Sequence, residues 1–178
     1  MSKKNQWVFK GLTIVAWIIF VGLCIEAGAL LVNFGMSLYN PKFIAHLYQK
    51  LDLSAMYARS EWAFYSMYSF ILVIAILKAW LFYSVIRLTF DFNLSKPFSD
   101  AVAKQITDIS YVTFWIGLLS YIAREATKQL LQRGFDTDQL NQFWADSQAF
   151  ILMAAVIFVI SQVFKKGLEL QKENDLTV

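Results

Sequence analysis

Proline, glycine, cysteine and histidine are all scarce in this 178-residue chain, and each scarcity narrows what it can be. With 2 prolines and 7 glycines, little interrupts long helices. The single cysteine excludes an internal disulfide, and the single histidine excludes a haem held by two histidines of one chain. Together they offer too few of the usual ligands for a structural zinc site. We therefore expect no metal and no other cofactor.

Charge is also scarce. Charged residues make up 16% of the chain and hydrophobic residues 58%, with a mean hydropathy of +0.49, whereas soluble domains have about 25% charged and about 45–50% apolar residues. The net charge of +3 is small, so it gives no reason to expect direct binding to nucleic acid. The composition therefore indicates an integral membrane protein in contact with lipid.

Catalytic motifs are missing as well. The sequence contains no Gly-rich phosphate loop, no GxSxG turn and no HExxH helix. Two aspartate pairs, Asp91 with Asp100 and Asp136 with Asp138, are better explained as helix caps and solvated loop residues. The sequence thus predicts a protein that is not an enzyme.

The chain does contain four long apolar runs. Backbone groups inside lipid must be hydrogen-bonded within their own segment, so each run should form a helix, and about 20 residues span the hydrocarbon core. The third run is the shortest and reaches that length by continuing a helical stripe towards its N-terminus. We predict an all-α fold, a single transmembrane domain built as a four-helix bundle. The spans are expected at about 11–34, 63–86, 103–123 and 147–165, followed by a tail at 166–178.

Basic residues near the ends of the spans predict the orientation. Nine Lys and Arg residues lie on the side that holds both termini, against six on the other side, and cytoplasmic loops carry the excess of basic residues. Both termini are therefore expected in the cytoplasm. The basic start and the small residues at 27–29 look like a signal peptide, but the apolar run continues past them to Phe34, which favours a retained first span.

The first connection on the outer side is predicted to be structured. Asn40-Pro41 is expected to end the first helix. The four-residue spacing of Phe43, Leu47 and Leu51 then predicts a short amphipathic helix, lying on the membrane surface or across the end of the bundle.

The second outer connection is also predicted to be structured. Gly134 is expected to stop the third helix. Asp136 and Gln139 have the spacing of a capping box, which predicts that the fourth helix begins there, outside the lipid. Ser60 and Ser99 are the predicted N-caps of the second and third helices.

Two charged residues lie within the spans. A mid-membrane Glu26 or Lys78 costs about 2.5–3.5 kcal/mol on insertion scales, and counting from the helix ends places them about 12 Å apart along the membrane normal. Glu26 could instead reach Arg124 at the outer end of the third helix, and Lys78 could extend towards the inner interface. Structural roles of this kind and an ion or ligand site both stay open.

Two segments expected on the cytoplasmic side carry a family resemblance. They are the loop Lys96–Ser99 and the tail Gly167–Val178, which has the form G-x-E-L-Q-x-E-N-D-L-T-V. Over nearly its whole length the chain resembles an uncharacterised bacterial membrane family, domain of unknown function 2975. The resemblance implies the bacterial inner membrane. Members are often encoded beside a small helix-turn-helix regulator, which implies a membrane anchor that holds such a regulator.

We therefore hypothesise a non-catalytic protein that binds a cytoplasmic protein partner and anchors or sequesters a small DNA-binding regulator. The candidate contact residues lie in the loop and the tail: Lys96, Pro97, Phe98, Ser99, Glu169, Glu173, Asn174, Asp175, Leu176 and Val178.

The alternative hypothesis is a small transporter, or an accessory subunit of a larger membrane complex, that uses Glu26 and Lys78. It predicts that Glu26→Gln abolishes ion- or substrate-dependent activity while partner binding stays intact. A homo-oligomer is also open, although no residue pattern demands one.

Overall fold

The computed structural model describes residues 3–48, 51–91 and 98–176, and within these ranges all regular structure is helical. The α-helices are α1 (Lys3–Tyr39), α2 (Ser54–Arg59), α3 (Glu61–Asp91), α4 (Asp100–Gln132) and α5 (Ser147–Leu176). The 3₁₀ helices Pro41–His46 and Asp138–Phe143 lie in the connections. The all-α prediction is confirmed.

Four helices, α1, α3, α4 and α5, are long and apolar enough to cross a membrane. At about 1.5 Å per residue they measure about 45–55 Å, against a hydrocarbon core of about 30 Å. Many of their large apolar side chains are exposed, as surfaces that contact lipid should be. The chain is therefore a multi-pass membrane protein, and the prediction of four spanning helices is confirmed.

The long helices pack in chain order. α1 packs on α3, α3 on α4, and α4 on α5, whereas α1 and α5 share no extended interface within the described residues. The four helices thus form an open row, in which α1 and α5 are the two edges.

The contact between α4 and α5 is close. Gly117 lies so near α5 that a Cβ there would be 2.7 Å from Ile151 Cγ1, and Ser110 Oγ donates to the Ala154 carbonyl oxygen at 3.3 Å. Small and hydroxyl-bearing residues allow helices to approach closely in lipid, where no hydrophobic effect drives them together. The buried face of α4 is rich in them: Thr107, Ser110, Thr113, Gly117, Ser120 and Thr127.

Aromatic contacts fix the register of α1 against α3. The Tyr68 hydroxyl donates to the Leu30 carbonyl oxygen at 3.0 Å, and the Phe34 ring stacks on Tyr68 with 5.4 Å between centroids. Further along the pair, the ring centroids of Phe20 and Tyr83 are 6.0 Å apart. The two helices are therefore antiparallel neighbours over most of the membrane thickness.

The connections at the end opposite the termini form a compact layer, which we call the cap (residues 40–48, 51–60 and 133–146). Ile44, Leu47 and Leu51 from the first connection are buried, as are Leu140 and Trp144 from the second. They belong to the same apolar cluster as the interior of the bundle. Of the two predicted positions for the first connection, the structure has the one across the end of the bundle.

The first connection contains short helices, as predicted, but not one continuous helix from Phe43 to Leu51. The 3₁₀ helix Pro41–His46 ends before Leu47, and helix α2 begins only at Ser54. The backbone N–H of Leu47 donates to the Leu51 carbonyl oxygen at 3.0 Å, a contact that a continuous helix cannot make. The turn buries the same leucines that the helical pattern was expected to bury.

The fourth spanning helix begins later than the capping-box pattern predicts. Residues Asp138–Phe143 form a 3₁₀ helix and α5 begins at Ser147. The box would need Gln139 to reach back to Asp136, but Gln139 Oε1 instead accepts a hydrogen bond from the backbone N–H of Asp52 at 2.9 Å. Gln139 therefore joins the two halves of the cap, and the local box does not form.

The other predicted helix boundaries are confirmed. Ser60 Oγ accepts from the Ala63 N–H and Ser99 Oγ from the Val102 N–H, both at 3.3 Å. Gly134, with φ of 78°, follows the end of α4. Each of these boundaries depends only on neighbours in the sequence.

Arg59 anchors α2 to the end of α4. Its guanidinium donates to the carbonyl oxygen of Arg133 at 2.6 Å and to that of Gly134. It also lies over the Phe135 ring, 4.5 Å from the centroid. The planar fork of donors suits two adjacent carbonyl groups, so the cap holds the last turn of α4 in a fixed position.

Candidate functional site

The end of the molecule opposite the cap, which we call the terminal end, brings together the loop and the tail. The Phe98 ring lies against Gly167 of α5, where a Cβ would be only 2.7 Å from Phe98 Cε1. It also packs beside the Phe164 ring, with 5.4 Å between centroids. Gly167 therefore makes room for Phe98. Ser99 then caps α4, so that the chain enters α4 directly from this contact.

An ion pair joins the same two helices. Lys172 Nζ of α5 lies 3.0 Å from Asp100 Oδ2 in the first turn of α4, where the helix dipole favours a carboxylate. Lys166 and Glu169 form a second pair along α5 at 2.8 Å. Both pairs are solvent-exposed and contribute little to stability, so what they mainly determine is the charge pattern of this surface.

A groove of about 410 Å³ runs between α4 and α5 beside the Lys172–Asp100 pair. Three acidic side chains and three lysines line it, so its charge is balanced. A balanced, alternating surface suits a polypeptide with complementary charges better than a nucleic-acid backbone, which needs a positive surface. The charged lining residues are Asp100, Lys104, Asp108, Lys165, Glu169 and Lys172.

Of these six residues, sequence reasoning had singled out only Glu169 as a contact residue. A signal for the others is present in the sequence. Charged residues recur every fourth position from Asp100 to Asp108 on α4, and Lys165, Glu169 and Lys172 follow the same helical spacing on α5. Each set therefore lies on one face of its helix, but only the packing of α4 on α5 brings the two faces together.

The remaining loop and tail candidates divide into two groups. Lys96, Pro97 and Val178 lie outside the described residues. The others belong to the last turns of α5, which continues as a helix beyond its apolar part: Glu173, Asn174, Asp175 and Leu176. The predicted tail is thus largely a helical extension of the last span.

The three charged residues singled out in and near the spans are not paired with one another. Glu26, Lys78 and Arg124 are half-buried, and within the described residues none of them takes part in an ion pair. Lys78 Nζ lies 6.0 Å from the centroid of the Phe150 ring on α5, at the limit of a cation–π contact.

Within the described residues, no group of three His, Cys, Asp or Glu side chains is placed to hold a metal ion. The groove at the terminal end contains ion pairs and solvated charges. The fold and this surface together define a helical multi-pass membrane protein whose loop and tail form one polar face beyond the apolar spans.

The chain belongs to the family described as protein of unknown function (DUF2975), whose model matches residues 47–178. The match begins in the cap and includes α2 to α5 with both segments of the terminal end, but it leaves out α1 and therefore Glu26. It is narrower than the nearly complete coverage expected from the resemblance. No curated protein and no solved structure matches this chain.

Proposed function

We propose that this chain is a non-catalytic protein of the bacterial inner membrane that binds a cytoplasmic protein on its terminal end. The partner proposed is a small helix-turn-helix regulator, which the chain anchors or sequesters at the membrane. The observation that carries the proposal is the packing of Phe98 on Gly167, together with the Lys172–Asp100 pair. These contacts make one surface from the two segments that bear the family resemblance.

The proposed orientation supports this use of the surface. Nine of the Lys and Arg residues outside the span centres lie on the side of the termini and six on the other. That excess favours a cytoplasmic terminal end, where a soluble regulator would have access to it. The family supplies the second support, since its members are often encoded beside such a regulator.

The charge of the groove is the third support. A regulator that docks through a helix with alternating acidic and basic residues would find a partner of opposite sign for each charge along the groove. Electrostatic matching of this kind contributes mainly to specificity and to the association rate. DNA, in contrast, would meet Asp100, Asp108 and Glu169 as repulsive groups.

Removal of the last turns of α5 tests the proposal. The chain is co-expressed with a helix-turn-helix regulator of the kind often encoded beside members of the family, and the regulator recovered with the purified membrane protein is measured. Deletion of Lys172–Val178 removes the Lys172–Asp100 pair and the end of the groove. We expect recovery to fall about tenfold or more, which corresponds to about 1.4 kcal/mol of binding free energy.

A charge exchange at the cap end of α4 provides the control. Glu125 and Lys128 form an exposed ion pair of 2.7 Å far from the groove, and the double variant Glu125→Lys/Lys128→Glu should retain the regulator fully. Undiminished recovery with the deletion variant would contradict the proposed docking surface.

A further inference from the structure

The packing of α1 on α3 brings Glu26 and Lys78 to within about one helical turn of each other in depth. On α1, Glu26 lies between Phe20 and Leu30 in the sequence. Phe20 contacts Tyr83 of α3, and Leu30 contacts Tyr68 of α3. Lys78 lies between these two tyrosines along α3. Side chains tilt towards the N-terminus of their own helix. Because α1 and α3 are antiparallel, the two charged groups tilt towards each other in depth, and the offset of about 12 Å counted from the helix ends is much reduced.

Glu26 lies on one flank of α1. It shares that flank with Ala29 and Asn33, which follow it by three and seven residues. The opposite flank carries Cys24 and Ala27, which line an apolar groove between α1 and α3. Glu26 therefore points away from that groove.

Lys78 points to the same side of the α1–α3 pair. It shares the buried face of α3 with Ile71, Ile74 and Ala75, and its ammonium group lies towards Phe150 of α5. The apolar groove on the other side is lined from α3 by different residues, among them Ile76, Ala79, Trp80 and Tyr83.

Both charges therefore lie on the side of the α1–α3 pair away from the apolar groove, and both side chains are half-buried, so each stays partly accessible. α1 and α5 flank this side and share no extended interface within the described residues. In the part of the chain that the structure describes, neither Glu26 nor Lys78 has an ion-pair partner. An unpaired cation and an unpaired anion at the same membrane depth are costly, and each has the charge that the other needs.

We infer that this face is the interface with a second copy of the chain, in which Glu26 of each copy pairs with Lys78 of the other. A two-fold axis along the membrane normal preserves depth, so a copy rotated about it brings both of its charges to the correct level. The interface is then self-complementary, and two ion pairs form at once. A different protein would have to supply both an anion and a cation at this one depth.

Charge reversal in separate copies tests the interface. In Glu26→Lys each dimer would oppose two lysines at both positions, and in Lys78→Glu it would oppose two glutamates. Differently tagged copies of the native chain should therefore co-purify, whereas copies of either single variant should do so about tenfold less. When the two single variants are co-expressed, both pairs have opposite charges again, and co-purification should return to the native level.

Two controls separate this result from misfolding and from pairing within one chain. The double variant Glu26→Lys/Lys78→Glu has opposite charges at the two positions whether the pair forms within one chain or between copies. Its co-purification therefore shows whether the fold tolerates the reversed charges. If the double variant recovers and the co-expressed single variants do not, the pair forms within one chain and the inference fails. It also fails if native copies do not co-purify.

Cysteine cross-linking gives a readout that does not depend on charge. In the background Cys24→Ser, the substitution Ala29→Cys places a thiol on the flank of Glu26, and oxidation should produce a covalent dimer in membranes. The native chain, whose only cysteine is Cys24 on the opposite flank, should remain monomeric under the same treatment. Cross-linking through Cys24 and not through position 29 would place the interface on the flank of α1 opposite Glu26 and overturn the inference.

Discussion

Replacement of Gly117 by alanine is expected to lower the free energy of unfolding by about 1–3 kcal/mol, the usual cost of overpacking a close contact. The new Cβ would lie 2.7 Å from Ile151 Cγ1 and 2.8 Å from the Ile151 backbone nitrogen. A side chain could move aside, but the backbone of a helix cannot do so alone. The whole of α5 must then shift away from α4.

The measurement is unfolding of the detergent-solubilised protein, followed by circular dichroism. Gly28→Ala is the matched control, because nothing lies within 4 Å of a Cβ at that position and alanine is the better helix former. We expect Gly28→Ala to be neutral or stabilising. Equal stability of the two variants would mean that α4 and α5 are not as close as the structure has them.

Truncation of Trp144 to alanine is expected to have the largest effect on the cap, a loss of about 3–5 kcal/mol. The side chain is only 1% exposed and belongs to the apolar cluster that joins the cap to the bundle. Its removal leaves a large cavity directly before the first turn of α5. Because Trp144 Nε1 has no hydrogen-bond partner among the described residues, Trp144→Phe should be tolerated much better than Trp144→Ala.

Trp62 provides the comparison for this variant. It is 85% exposed at the start of α3, so Trp62→Ala removes the same indole group without opening a cavity and should change stability little. Thermal unfolding followed by far-UV circular dichroism avoids the loss of tryptophan fluorescence. A similar loss in both variants would contradict the assignment of Trp144 to the interior of the cap.

The parts of the fold that follow from neighbouring residues could be predicted from the sequence. The apolar runs, the caps at Ser60 and Ser99 and the stop at Gly134 each depend on a few consecutive positions. The capping box at Asp136 and Gln139 was equally plausible by spacing, but Gln139 bonds to Asp52 of the other connection. A contact over 87 residues leaves no local signal, and for the same reason the packing order of the helices could not be predicted.

The candidate site shows the same division. The sequence identified Phe98 and the tail as separate segments, and the charges along α4 and α5 follow a visible helical spacing. It did not predict that Phe98 packs on Gly167, because that contact depends on how α4 lies against α5. The offset in depth between Glu26 and Lys78 was counted from the helix ends, and such a count omits both the register of the helices and the tilt of the side chains.

The uninterrupted course of α4 and α5 has a mechanical consequence. Arg59 donates hydrogen bonds to the carbonyl groups of Arg133 and Gly134 at the cap end of α4, and the buried Trp144 fixes the start of α5 in the cap. From these contacts the two helices extend about 45–50 Å to the terminal end, and they pack on each other along that length. We therefore expect the two helices to move as one rigid unit, so that a displacement of the cap would also displace the terminal end.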